Sequence, residues 1–329
     1  MRSAVRATLL ATGITTVVTL SSLGCGAWGE EHIVVASKNF TEQTILAELV
    51  AQQLERRTGL TVDRRFYLGG TFVCHRAILS GEVDIYVEYT GTALTAILGQ
   101  PPLHDREAVY RAVKQEYADR FELVWGRPLG FNNTFAILIR GSDARRFGLE
   151  TISQVAAYTP NWRAGFGYEF AERQDGLPGL AATYGLAFAA PPRTMDLGLT
   201  YRALADGQVD LIAGNSTDGL IEALDLKQLE DDKSYFPPYE AAPIIRADVL
   251  DRHPEVGAAL DELGGRISDE EMRRLNRLVD VEHRDMPLVV REWLAVHVPD
   301  TDAASGSNGP HEPRPRLAAK GRTVLQLKR

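Results

Sequence analysis

Cysteine is scarce in this sequence of 329 residues, which contains only Cys25 and Cys74. Two cysteines cannot build a disulfide framework, so the stability of the fold must come from an apolar core. Roughly 300 residues beyond an export signal are enough for two domains. Because Cys74 follows the Gly69-Gly70 turn, we expect it to be a small buried residue.

Common catalytic and cofactor motifs are missing as well. The sequence contains no His-Glu-x-x-His, no Gly-x-Ser-x-Gly, no phosphate-binding loop and no Cys-x-x-Cys. Gly165 and Gly167 begin a dinucleotide-type motif, but Phe170 stands where its third glycine belongs. The acidic run at residues 230–232 precedes Lys233 and has no complementary histidine cluster, so it predicts a solvated loop. We therefore expect no metal, no cofactor and no enzymatic activity.

The balance of charge argues against another class of partner. The sequence has 36 Lys and Arg against 44 Asp and Glu, which gives a formal net charge of −8. It also lacks a basic amphipathic stripe of the kind that binds nucleic acids or anionic membrane surfaces. We therefore expect no nucleic-acid partner.

The N-terminal residues have the pattern of an export signal. Two arginines precede the uncharged apolar stretch Ala7–Leu20, which is too short and too rich in threonine to span a membrane comfortably. Gly24-Cys25 follows and resembles a bacterial lipobox, although Ser22 stands where an aliphatic residue is usual. We predict a signal peptide at residues 1–24, lipidation of Cys25 and an exported protein, with an unlipidated secreted protein as the alternative.

The C-terminal residues predict a tail without a fold. Residues 299–329 are rich in Pro, Gly and Ser and poor in apolar side chains. Such a composition cannot bury enough surface to offset the entropy of ordering the chain. We therefore predict a disordered tail and assign it no function.

The feature that is most informative is an internal repeat. RAILSGEVDI at Arg76–Ile85 is similar to RALADGQVDL at Arg202–Leu211. Both copies begin with Arg-Ala and end with Gly-x-Val-Asp and an aliphatic residue, a pattern typical of a helix, a glycine that ends it and a buried strand. A small polar turn follows each copy, at Tyr89–Thr92 and at Asn215–Asp218.

Two such units predict an α/β fold with two similar lobes. We assign residues 31–130 and 240–298 to one lobe and residues 131–239 to the other. The chain should cross between them near Phe131–Ile137 and Ala241–Arg246. Because open α/β sheets bind ligands at the carboxyl ends of their strands, the turns of the two repeats should face one cleft.

The first helix is expected to begin at this cleft. The strand around His32–Ala36 runs through Asn39 into a helical pattern. Asn39 can cap the helix, and Glu42 can return a hydrogen bond to the cap. Helix N-termini attract carboxylates, so this turn is a candidate ligand contact. The alternative is that Asn39 is only a cap, which is the far more common role.

Aromatic and small polar side chains occupy the predicted cleft positions Tyr89, Thr92, Phe135, Asn215 and Tyr239. Aromatic faces attract cations that cannot donate hydrogen bonds, above all quaternary ammonium groups. Side chains of this kind indicate a binding site and not a catalytic one. The alternative for any one tyrosine or phenylalanine is a place in the core, which is the more common role at strand ends.

Several short motifs together resemble one family. In chain order they are SKNFTEQ at 37–43, LGGT at 68–71, DIYVEYTGT at 84–92, GFNNT at 130–134, STDG at 216–219 and DDKSYFPPY at 231–239. They are similar to motifs of the substrate-binding proteins of ABC importers for glycine betaine, choline and related osmoprotectants. The resemblance implies a two-lobed periplasmic-binding-protein fold (type II) with a hinged ligand cleft. It also implies a monomer that delivers a small zwitterionic or quaternary-ammonium solute to an ABC permease.

The resemblance also implies roles for individual residues. Tyr89 and Tyr239 match tyrosines of the cage that grips a trimethylammonium group. Gln43 and Thr92 match polar contacts at strand-to-helix turns, where Asp in place of Thr92 is associated with choline. Asn39 belongs to the same motif as Gln43.

Two positions depart from the family pattern. Phe135 stands where the cage usually has a tyrosine, and it keeps the aromatic face. Asn215 stands where a tyrosine is frequent, so it removes a wall and adds hydrogen-bonding groups. Tyr168 or Tyr201 is a candidate for the missing wall. These departures bear on the identity of the ligand more than on the fold.

Three other interpretations stay open. The same scaffold could bind a more polar solute such as an amino acid. It could be an exported enzyme that uses the cleft, with Glu88 as its candidate acid–base group. It could also be a sensory or adhesive module whose cleft is vestigial.

Overall fold

The computed structural model describes residues 32–299. The predicted signal peptide (1–24), the predicted lipidation site Cys25 and all but the first residue of the predicted tail lie outside the described residues. Between residues 32 and 299, no helix combines the length and the apolar character needed to cross a membrane.

The strands in the described part of the chain, in order, are β1 (His32–Lys38), β2 (Thr61–Gly69), β3 (Ile85–Tyr89), β4 (Leu123–Trp125), β5 (Phe135–Arg140), β6 (Ala164–Phe166), β7 (Arg193–Thr194), β8 (Leu211–Asn215), β9 (Leu226–Gln228) and β10 (Ala241–Arg246). The α-helices are α1 (Thr41–Thr58), α2 (Thr71–Leu79), α3 (Thr90–Thr92), α4 (Arg106–Phe121), α5 (Gly141–Phe147), α6 (Ile152–Val155), α7 (Tyr168–Glu172), α8 (Leu177–Tyr184), α9 (Leu197–Ala205), α10 (Leu220–Ala223), α11 (Ala247–Arg252), α12 (Pro254–Asp261), α13 (Asp269–Asp280) and α14 (Met286–His297). A π-helical turn at Ala93–Ile97 continues α3, and a 3-10 turn occupies Thr159–Asn161.

The strands form two sheets with the same topology. The first has the order β2-β1-β3-β10-β4 and the second β7-β6-β8-β5-β9. In each sheet four of the five strands run in the same direction, and the fourth in the order runs antiparallel to both of its neighbours. These antiparallel strands, β10 and β5, follow the two segments in which the chain crosses from one sheet to the other. We call the unit on the first sheet lobe 1 and the unit on the second sheet lobe 2.

The internal repeat is confirmed in atomic detail. Its first copy joins α2 to β3 and its second joins α9 to β8. Gly81 and Gly207 have φ angles of 77° and 70°, a left-handed conformation that favours glycine. The aspartates near the end of the two copies also make equivalent hydrogen bonds. Asp84 accepts from the N–H of Val34 at 2.9 Å, and Asp210 accepts from the N–H of Arg163 at 3.0 Å. The same local arrangement therefore attaches the third strand in the order of each sheet to the second.

The core of lobe 1 has a layer on each face of its sheet. On one face α1 and the C-terminal helices cover residues such as Val35, and on the other α2 and α4 cover residues such as Tyr86. Coverage of both faces explains why β1 is an almost unbroken apolar run. Cys74 is fully buried as predicted, and burial raises the pKa of its thiol to about 12.

The local predictions were wrong at two places in the chain. Helix α1 begins at Thr41, its N-cap is Phe40, and no side chain bonds the cap, so Asn39 and Glu42 do not form the expected capping pair. The crossings expected near Phe131–Ile137 and Ala241–Arg246 lie earlier in the chain, because Phe135–Arg140 and Ala241–Arg246 are strands β5 and β10 within the sheets.

Candidate ligand-binding cleft

A cavity of about 350 Å³ lies between the two sheets, within the size range of small-molecule sites. Its lining comes from the turns after β1, β3 and β6, from the end of β8 and from the crossing segments. Six of the seven predicted contact residues line it, namely Asn39, Tyr89, Thr92, Phe135, Asn215 and Tyr239. Gln43 is the exception, because its side chain is fully buried in α1 and does not belong to the lining.

Aromatic rings from both lobes form much of the cavity wall. The ring of Phe135 lies edge-to-face with Phe170 at a centroid distance of 4.9 Å and with Tyr239 at 5.6 Å. Tyr89 stacks on Phe40 at 6.5 Å, and Tyr168 is an exposed part of the lining. The wall therefore includes π surface, which attracts cations without requiring a hydrogen bond from them.

Two resident cations already lie over these rings. The Lys38 ammonium is 5.2 Å from the Tyr89 ring centroid, and the Arg173 guanidinium carbon is 5.2 Å from that of Phe135. Such distances are within the range of cation–π attraction. The aromatic wall can therefore stabilise positive charge.

Tyr89 is held in place by a buried carboxylate. Its hydroxyl donates to Glu42 Oε1 at 2.6 Å. Glu42 is 3% exposed and also accepts from Asn133 at 2.8 Å, Thr217 at 2.5 Å and Asn276 at 3.0 Å. Burial raises the Glu42 pKa above its ordinary value, and the four hydrogen bonds oppose that rise without cancelling it. This carboxylate therefore connects lobe 1, a crossing segment, lobe 2 and helix α13.

Tyr239 is held by an ion pair from lobe 2. Its hydroxyl donates to Asp175 Oδ2 at 2.7 Å, and Asp175 accepts two bonds from Arg173, at 2.9 and 2.5 Å. Burial acts to raise the Asp175 pKa, but the bonds from Arg173 and Tyr239 outweigh it and leave the pKa below its ordinary value. Arg173 also donates to Thr92 Oγ1 at 3.2 Å, so this network bridges the lobes.

A second interlobe contact lies at the start of α2. Glu169 of α7 accepts from the Thr71 N–H and, at 3.0 Å, from the Thr71 hydroxyl. The Thr71 hydroxyl in turn accepts from Lys38 Nζ at 2.9 Å. Lys38 also donates to Glu88 Oε1 at 2.5 Å, and Glu88 is fully buried and absent from the cavity lining. Glu88, the candidate acid–base group if the protein were an enzyme, is therefore paired with Lys38 behind the cavity wall.

Of the two tyrosines considered as a replacement for the missing cage wall, Tyr168 and Tyr201, only Tyr168 lines the cavity. Asn215 ends β8 and lies directly opposite Phe135 in the sheet. Tyr168 lines the cavity, whereas Tyr201 is buried behind it and its hydroxyl accepts from the Asn215 N–H at 2.8 Å. Phe170 adds an aromatic wall that the sequence analysis did not identify.

Sequence reasoning missed a further set of charged residues in and behind the cleft wall. These are Lys38, Glu42, Glu169, Arg173 and Asp175. Each of the five is buried or bonded to a residue of another segment. The residues around Arg173 carry no recognisable motif, and no local signal would have identified them.

The two sheets, the crossing segments and the aromatic cavity between them define a two-lobed solute-binding protein. The family described as the substrate binding domain of the ABC-type glycine betaine transport system matches residues 31–296, and the chain belongs to it. Members of this family are extracytoplasmic substrate-binding proteins of transporters and not enzymes. The resemblance inferred from the motifs and the two-lobed α/β fold are thus confirmed.

Relatives agree with this membership. The carnitine transport binding protein OpuCC of Listeria monocytogenes is 35% identical over 273 residues, which cover 82% of this chain and 88% of that protein. A glycine-betaine-binding protein of Pseudomonas aeruginosa is 36% identical over 289 residues, covering 85% and 92%. The crystal structure of a glycine betaine/carnitine/choline ABC transporter component is 32% identical with a TM-score of 0.67, covering 80% of this chain and 98% of that one.

Proposed function

We propose that this protein captures a compact quaternary-ammonium solute, such as glycine betaine, choline or carnitine, outside the cytoplasm and delivers it to an ABC permease. The observation that carries the proposal is the cavity between the lobes, whose wall is built from aromatic rings of both. A quaternary ammonium group has no N–H to donate, so a π surface suits it better than a set of oxygen acceptors.

Tyr89, Phe135 and Tyr239 form the proposed cage, and Phe170 supports Phe135 from lobe 2. Each ring adds about 0.5–2 kcal/mol of cation–π attraction when the cation is desolvated. The hydroxyls of both tyrosines are engaged by Glu42 and Asp175, which fixes the rings before the ligand arrives. A cage that is ordered in advance loses less conformational entropy on binding.

Closure of the lobes around the ligand is part of the proposal. The moving units are residues 31–130 with 240–298 and residues 131–239. Their crossing segments are hydrogen-bonded to each other, for example from the Asn133 N–H to the Tyr239 carbonyl at 3.0 Å. A paired hinge of this kind allows rotation of the lobes while it keeps the cage residues in register.

We further propose that the protein is exported, that Cys25 carries a lipid anchor and that the protein acts as a monomer. The anchor would keep the protein near its permease, and one chain supplies every wall of the cavity, so function needs no second copy. The support for the anchor is the N-terminal sequence pattern.

Titration calorimetry of the purified protein with glycine betaine, choline, carnitine and a panel of amino acids tests the ligand class. Tyr89→Ala and Tyr239→Ala should each weaken binding of the preferred quaternary-ammonium ligand by about tenfold or more, because about 1.4 kcal/mol corresponds to one decade. Phe147→Ala is the matched control, since Phe147 is partly exposed on α5 and lies outside the cavity. Unchanged affinity in both tyrosine variants would refute the cage.

A second candidate ligand is a small polar solute such as an amino acid. The Oδ1 atom of Asn133, whose side chain lines the cavity, is buried and accepts no hydrogen bond in the described part of the chain. A primary ammonium group could donate to it, whereas a trimethylammonium group could not. Binding of an amino acid, but of no quaternary-ammonium compound, in the same titrations would favour this candidate.

A further inference from the structure

The positive side chains that line the cavity are already paired with protein carboxylates. Lys38 donates to Glu88 at 2.5 Å, and Arg173 makes a two-pronged pair with Asp175 at 2.9 and 2.5 Å. All four side chains are buried. A ligand carboxylate that enters the cavity could therefore bind Lys38 or Arg173 only by sharing it with Glu88 or Asp175.

The charges around the cavity are predominantly negative. Glu169 and Asp196 line it together with the two cations. When the buried partners of the cations are included, two positive side chains stand against four carboxylates. In a cavity with low-dielectric walls, such an excess of one sign attracts ligands of the opposite net charge.

Glu169 is the carboxylate that can discriminate between ligands. It lies in lobe 2 and reaches across to the first turn of α2 in lobe 1, where the Thr71 N–H and hydroxyl donate to it. A Cβ atom at Gly70 would lie 2.2 Å from Glu169 Oε1, so a glycine leaves room for this approach. The first turn of α2, where a ligand carboxylate could have been bound, is thus occupied by the protein's own carboxylate.

We propose that Glu169 makes the cleft select net cationic quaternary-ammonium ligands, such as choline, over zwitterionic ones, such as glycine betaine. This inference rests on the proposed function and specifies its substrate class. A zwitterion that directs its carboxylate to the first turn of α2 must either hold it near Glu169 or displace Glu169 from Thr71, which leaves Glu169 with only the more distant Arg173, at 3.6 Å. Choline has a hydroxyl group in place of the carboxylate and meets neither penalty. Glu169 would thus supply in this chain the preference for choline that the family associates with Asp at the position of Thr92.

Calorimetric titrations of choline and glycine betaine into the wild type, E169Q and E169D test the inference. In E169Q the ratio of the betaine to the choline dissociation constant should fall by about tenfold. E169D retains the charge and should retain the wild-type ratio. The control is E172Q, which makes the same substitution at an exposed position of the same helix outside the cavity and should change neither constant.

The outcomes separate the inference from the proposed function. If E169Q weakens both ligands equally, Glu169 only holds the lobes together, and the inference is overturned while the function stands. A wild type that prefers glycine betaine overturns it as well. If the wild type binds neither ligand, the proposed function fails and the inference fails with it. Should E169Q not fold, the methyl ester of glycine betaine, which keeps the quaternary ammonium group but has no carboxylate charge, must still bind the wild type more tightly than glycine betaine does. An equal or weaker affinity for the ester overturns the inference.

Discussion

Replacement of Glu42 offers the sharpest test of how the cleft is organised. Each carboxylate oxygen of Glu42 accepts two hydrogen bonds, Oε1 from Tyr89 and Asn133 and Oε2 from Thr217 and Asn276. In Glu42→Gln one oxygen becomes an NH₂ group, which faces two donors. The hydroxyl of the affected pair can rotate and accept, but the asparagine amide keeps a donor without an acceptor.

One buried unsatisfied donor costs about 1–3 kcal/mol, so Glu42→Gln should lower the free energy of unfolding by that amount. Glu42→Ala leaves all four donors unmatched and a cavity in their midst, and should cost about 3–5 kcal/mol. Urea denaturation followed by circular dichroism measures both losses. Glu116→Gln is the matched control, because Glu116 is 39% exposed on α4 and its pair with Arg120 is 3.7 Å long; it should change stability by less than about 0.5 kcal/mol.

The pH dependence gives an independent check of the same carboxylate. Because burial raises the Glu42 pKa above its ordinary value of 4.5, the folded protein binds a proton there more readily than the unfolded chain. The resulting stabilisation is fully present below the ordinary pKa and is lost as the pH rises through the pKa of the folded state. Glu42→Gln removes this dependence. A Glu42→Gln variant as stable as the wild type, with an identical pH profile, would refute the assigned role of Glu42.

Two further predictions concern Asn215 and Cys25. Asn215→Tyr should strengthen binding of quaternary-ammonium ligands, because it adds a ring beside Phe135. The same change should weaken binding of a solute that hydrogen-bonds to the asparagine amide. Calorimetry with both ligand classes measures the two changes in affinity, and changes in the same direction would contradict the reasoning. Mass spectrometry of the mature protein should find a diacylglyceryl group on an N-terminal Cys25, and its absence from a Cys25→Ser variant is the control. An intact Met1 or cleavage well beyond Cys25 would disprove the anchor.

The sheets could be predicted from the sequence because their signals are local. Each copy of the repeat contains the end of a helix, a glycine and the start of a strand within ten residues. The structure has these three elements in the same order in both lobes. The cleft followed from the same pattern, since Thr92 in the turn after β3 and Asn215 at the end of β8 both line the cavity. Strand-end aromatics such as Tyr89 line that cavity, although their contacts were not predictable from the sequence.

The partners of the cleft residues could not be predicted in the same way. Glu42 was predicted to return a hydrogen bond to Asn39, the expected cap three residues before it, yet its partners are Tyr89, Asn133, Thr217 and Asn276. The nearest of these is 47 residues distant in sequence and the farthest 234. A local rule describes what a side chain can bond nearby, but a buried carboxylate bonds whatever donors the tertiary fold brings to it.

The two lobes share a scaffold and differ in the chemistry that they present to the ligand. In lobe 1 the last residue of β3 is Tyr89, opposite Ala241 of β10, whereas in lobe 2 the last residue of β8 is Asn215, opposite Phe135 of β5. Each lobe therefore contributes one aromatic ring at the same point of its sheet, but from different strands. Asn215 does not leave lobe 2 without a wall, since Phe135 occupies the neighbouring position and Phe170 packs against it. Equivalent backbone positions with unlike side chains surround the ligand asymmetrically, as a ligand with one cationic end requires.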